Sequence, residues 1–167
     1  MEITVKARGL KSLIAKWKRL ARPLATLVPI FEAVVHDFML DHMKRRFESG
    51  GRYGGEPWAR YRSEPKYRRY KKAAGADPRP LWWKPGSREM LRPSLIKANH
   101  PRHVWRASRQ GARFGTSVPH AARIQQGGLN QFGETAPPRR IVALADPQRR
   151  RLYRAVRDYL LKVWRGK

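Results

Sequence analysis

The chain has 167 residues, with 38 Lys and Arg against 12 Asp and Glu, a net charge of +26. That length suits one domain with a modest core, and six Trp argue against a wholly disordered polypeptide. The zero cysteine count excludes disulfides, thiolate zinc sites and cysteine nucleophiles, and no apolar run is long enough to span a membrane.

Glu2–Lys6 alternates as a short strand does. Leu10, Leu13, Ile14, Trp17 and Ala21 then recur at helical spacing, with Lys11, Lys18, Arg19 and Arg22 elsewhere on the wheel. Residues 1–22 are therefore set apart as an N-terminal strand and basic amphipathic arm, read as docking on a partner or on its own core rather than on a membrane. The start, MEITVKARGL, lacks the apolar stretch of a secretory leader.

Residues 23–167 are read as a single α+β domain: a long N-terminal helix, a small antiparallel sheet and a C-terminal helix, with an extended basic loop region inserted at about 50–85. Pro23 and Pro29 mark the helix start, and Leu27, Phe31, Val34, Val35, Phe38 and His42 form its apolar stripe down to about Glu48. His42 is expected to be a satisfied core or boundary residue, and His36 diverges from it too far for a metal pair. Gly50-Gly51-Arg52-Tyr53-Gly54-Gly55 ends the helix. The following stretch interleaves basic residues with Trp58, Tyr61, Tyr67, Tyr70, Trp82 and Trp83, and Arg60–Lys72 is read as a short basic helix. Those aromatics either stack on unpaired bases or pin a loop that has no core of its own.

Arg88–Ala98 is open between helix and strand. Val104–Ser108 and Ala112–Val118 are expected to be strands joined at Gln110-Gly111, and Ala121–Gln126 a short helix closed by Gly127-Gly128. Leu129–Pro138 is expected to be a loop, and Ile141–Leu144 a short apolar segment. Asp146-Pro147 supplies an N-cap acceptor followed by proline. The last helix then places Leu152, Val156, Tyr159, Leu160 and Val163 inward and Arg150, Arg154 and Arg157 outward.

Of the basic residues, 26 are Arg, whose planar fork suits phosphate, carboxylate and interfaces. The charge is spread, with +6 on residues 1–22, +8 on 44–72 and +8 on 139–167, so a polyanion or acidic neighbours are expected to meet it. The twelve acids are scattered and form no local acid/base pair, His100 and His103 lack further ligands, and Ser94, Ser108 and Ser117 lack a nucleophile elbow. No catalytic residue, metal or cofactor is expected; a nuclease ranks third among the function classes.

Phe47 with the glycine-rich stretch and Trp58, then Leu91-Arg92-Pro93-Ser94-Leu95, then the segment Phe114–Gly128, resembles the phage virion morphogenesis or tail completion family. In that family a G-T-x-x-x-Y-A-x-x-H-Q-x-G segment follows the strands and a P-x-R segment precedes the last helix, where this chain has Pro137-Pro138-Arg139-Arg140. His120 stands where the family has Tyr, and Gln125 where it often has His; both keep hydrogen-bonding capacity, which suits a structural role. The resemblance implies a non-enzymatic virion protein of the tail or neck, present in the host cytoplasm during assembly. It would form a ring, with a hexamer expected, around the DNA channel, beside the connector, tail terminator or tail tube. It further implies backbone roles for Gly115, Thr116, Gly127 and Gly128. Arg123, Arg139, Arg140, Arg150, Arg154 and Arg157 become candidate inter-subunit or DNA contacts, and Trp58, Tyr61, Trp82 and Trp83 a candidate partner-contact loop. The alternative reading is a basic DNA- or RNA-binding module acting through the arginine surface and the aromatic loop.

Overall fold

A computed structural model describes residues 2–5, 27–58, 64–76, 81, 91–129 and 135–165. The architecture is α+β. Strand β1 is Glu2–Val5. Helix α1 runs Val28–Ile30, passes through a π-helical turn at Phe31–Val35 and continues as His36–Glu48. Helix α2 is Glu64–Ala73, α3 is Leu91–Ile96, and β2 (His103–Ser108) and β3 (Gly111–Thr116) form a hairpin. Helix α4 (Ala121–Gln126), the short strands β4 (Gly128–Leu129) and β5 (Thr135–Ala136), and helix α5 (Asp146–Arg165) complete the order.

The main sheet has the order β1-β3-β2, antiparallel throughout. The strand at residues 2–5 therefore belongs to the sheet of the domain, while the rest of the expected arm lies outside the described residues. The hairpin loop is Arg109-Gln110, one residue earlier than the sequence suggested, and Gly111 opens β3. Ser108 stabilises it: its Oγ donates to Gly111 O and accepts from Gln110 N–H. The segment expected to be loop from Leu129 contributes the second, two-stranded pairing of β4 with β5.

The buried face of α1 differs from the expected stripe. Ile30, Phe31, Val35, Met39, His42, Met43, Arg46 and Phe47 are buried, whereas Leu27, Val34 and Phe38 are only partly so. The cause is the π turn, in which His36 N–H bonds Phe31 O: its one extra residue carries the buried face from Phe31 to Val35, and Met39, His42, Met43, Arg46 and Phe47 then follow at ordinary α-helical spacing. That face packs on α3, on Ala112 and Phe114 of β3, and on Leu152, Val156 and Leu160 of α5. Burial of these apolar side chains is the main stabilising term.

Candidate functional site

Among the described residues, a dense polar arrangement lies where α1 ends. Arg46 is 2% exposed, yet its partners are carbonyls and not carboxylates. Its Nε donates to Ile141 O (2.8 Å), Nη1 to Gly51 O (2.6 Å) and Tyr53 O (2.9 Å), and Nη2 to Arg140 O (2.5 Å). Burial alone pushes its pKa down from the ordinary arginine value. Carbonyl dipoles from two chain segments compensate the charge, so Arg46 ties the helix end, the glycine loop and residues 140–141 together.

The loop closes over this cluster. Trp58 is 5% exposed and meets Phe47 edge-on, with ring centroids 5.1 Å apart. Gly51 (φ +93°) lies so close that a Cβ would stand 2.7 Å from Trp58 Cδ1; at Gly54 (φ +82°) a Cβ would stand 2.6 Å from His42 Cε1. His42 donates from Nε2 to Ala143 O at 2.8 Å, and burial lowers its pKa. It is thus a core histidine, as the sequence suggested, but satisfied at Nε2 only: its buried Nδ1 has no hydrogen-bond partner among the described residues. Tyr53 receives Arg45 and Arg151 against its ring, and Arg151 Nη1 donates to the Tyr53 hydroxyl.

A second cluster has no local signal in the sequence. His36 on α1 and His103 on β2 face each other, Nε2 to Nε2, at 3.1 Å. His103 Nδ1–H donates to Ser94 O (2.7 Å), so in the neutral pair His36 Nε2–H donates and His103 Nε2 accepts. Ring centroids 5.3 Å apart place the imidazoles head to head, which is hydrogen-bond geometry and not convergence on a shared ion. Trp105 stacks on His36 at 4.5 Å and donates from Nε1 to Glu32 Oε2 (2.9 Å). Among the described residues no group of three His, Cys, Asp or Glu could hold a metal ion, and no helix is long and apolar enough to cross a membrane.

The residues carrying the family resemblance form the frame behind these clusters. Thr116 is buried and acts through its hydroxyl: it bonds Ser94 Oγ at 2.7 Å and accepts from Val118 N–H, while Ser94 Oγ–H donates to Leu91 O. Gly115, also buried, pairs with Glu2 on one side and Val104 on the other. Gln125 Oε1 accepts from the N–H groups of Ile141 (2.7 Å) and Val142 (3.3 Å), and Arg139 N–H donates to Ile124 O. Gly127 (φ +84°) and Gly128 (φ +134°) hold the backbone geometry that ends α4.

Two candidates need correction. Trp58 is core, because the glycine loop folds it onto Phe47, so it is not presented to a partner. Arg139 is 3% exposed, with its N–H bonded to Ile124 O of α4, and it is not a surface contact. Arg123, Arg140, Arg150, Arg154 and Arg157 are exposed, the last three on the outer side of α5. Tyr61, Trp82 and Trp83 lie outside the described residues. Arg68, Arg69 and Lys72 of α2, with Ala76 just beyond its end, line a cavity of about 340 Å³. No family model, curated protein or solved structure matches the chain.

Proposed function

We propose that this chain is a non-enzymatic structural protein of a tailed-phage virion, a tail completion or neck component that forms a ring around the DNA channel during assembly. The observation that carries the reading is the behaviour of Gln125. At a position where the family often has His, its side-chain oxygen joins α4 to the segment leading into α5 by two backbone hydrogen bonds. The neighbouring motif residues Thr116 and Gly127-Gly128 likewise do structural work, through a buried hydroxyl and through backbone geometry. A motif region spent on holding segments together suits a rigid ring subunit. Its reading as a subunit also accounts for +26, because the charge of a ring is offset by DNA or by acidic neighbouring rings.

Native mass spectrometry with light scattering, at low and high salt and without DNA, tests the reading. A discrete ring-sized oligomer is expected. A monomer at both salt concentrations that also fails to assemble on isolated heads or tails would overturn it. The nucleic-acid-binding alternative draws support from the exposed arginines of α5, but its aromatic half has lost Trp58 to the core.

A further inference from the structure

We infer that the outer face of α5 is a binding surface for the phosphate backbone of duplex DNA, read by charge and not by sequence. The inference deepens the neck reading by naming the element of the ring that meets the DNA.

The helix runs Asp146–Arg165, about 30 Å at 1.5 Å per residue. Leu152, Val156 and Leu160 fix its inner side in the core. Opposite them, Arg150, Arg154, Arg157 and Arg165 are all exposed. At about 100° per residue these four fall within a stripe roughly 80° wide, extending about 22 Å along the axis. Among the described residues Arg150 and Arg154 make no ion pair, although they stand four apart, where like charges repel on a helix. Arg157 has only its chain neighbour Asp158, at 2.8 Å, in a pair whose side chains are both more than half exposed. Such a pair is worth little in water and yields readily to phosphate. Helix α5 thus holds a straight row of guanidinium forks in mutual repulsion, anchored by a rigid inner face. A uniform line of phosphates relieves that repulsion along the whole row, and the fork geometry matches phosphate bidentately. An interface with an acidic protein fixes register by interspersing carboxylates among its arginines; here Asp146 and Asp158 lie at the flanks of the stripe, and Arg150 and Arg154 have no carboxylate partner among the described residues.

The experiment is fluorescence anisotropy of the full chain with a labelled duplex of about 25 base pairs across a salt series. The triple variant R150A/R154A/R157A is compared with K44A/R52A/K97A, which removes the same charge from exposed positions elsewhere. Alanine favours helix, and circular dichroism melts establish that both variants fold. The expected result is at least a tenfold loss of affinity near 0.15 M salt for the α5 variant, with the salt slope reduced by roughly 2–3, against less than a threefold loss for the control. Equal losses in the two variants, or wild-type affinity in the α5 variant, overturn the assignment. So does displacement of DNA by poly-glutamate as effective as by unlabelled duplex, which would mark an acidic protein as the partner. The titration reads the surface whatever the oligomeric state, so its failure is separate from failure of the ring.

Discussion

Arginine does opposite work in two parts of this molecule. At the end of α1, Arg46 is sealed from water, lies over the Trp58 ring and, among the described residues, donates its hydrogen bonds to backbone carbonyls. On α5, Arg150 and Arg154 stand in solvent with no ion pair among the described residues. The same side chain is a cross-link in one place and unspent charge in the other. What differs is the supply of acceptors: a glycine loop folded back on a helix end presents carbonyls in a cluster, whereas the side of an intact helix presents none. Interior substitutions should therefore cost stability without changing anion binding, and exterior ones the reverse.

The largest effect is expected at Arg46. Replacement by Ala strands several buried carbonyls and should cost about 3–4 kcal/mol in urea unfolding. Lys in its place should recover little, because one ammonium cannot serve carbonyls on both sides of a planar fork. Trp58→Ala empties a core site and should cost a similar ~3–5 kcal/mol, while duplex DNA affinity of the folded fraction stays within twofold. If affinity fell sharply instead, Trp58 would belong to the binding surface and the contrast between the regions would fail.

The glycines sharpen the same comparison at smaller scale. Gly54→Ala meets His42 as well as an unfavourable φ, and about 2–3 kcal/mol is expected; Gly50→Ala, with φ +62° and open space, should cost only about 1 kcal/mol. Thermal melts of the two variants side by side measure the difference. The α5 triple variant should shift stability by less than about 0.5 kcal/mol per site.

Acidification should act on the histidines whose neutral form burial favours. Burial lowers the pKa of His42, and burial together with His103 lowers that of His36. The folded state then binds fewer protons than the unfolded state, so these groups stabilise the protein above the ordinary histidine pKa of about 6.5 and that contribution is lost as pH falls. The urea midpoint should therefore drop between pH 7.5 and pH 5, and His42→Leu should flatten the profile. A midpoint that rose on acidification would contradict the buried, neutral state of His42.

Much of the fold could be read from periodicity and turn residues. The α5 pattern of Leu152, Val156 and Leu160 inside with Arg150, Arg154 and Arg157 outside needs only helical geometry, and the β2–β3 hairpin needs only alternation around a glycine. The carbonyl cluster was not legible. Arg45 and Arg46 are adjacent in sequence; one pairs with Asp41 at the surface and the other is buried, and only the return of residues 140–141 decides which. The His36–His103 pair was hidden for the same reason, because a contact between a helix and a strand 67 residues apart leaves no local signal. Gln125 stands out in sequence only as a side chain able to hydrogen-bond; that its Oε1 accepts from Ile141 and Val142 depends on the same return of the chain.

The position of β1 has a consequence in time. Glu2–Val5 pairs with Ala112–Gly115, so this strand leaves the ribosome about 110 residues before its partner exists. At ordinary translation speeds of roughly 5–20 residues per second, it must wait on the order of 5–20 s. The β2–β3 hairpin, by contrast, closes within microseconds of emerging. Completion of the sheet is thus a late, non-local event in biogenesis, and until it happens one edge of β3 stays unpaired and open to the same strand of another nascent copy.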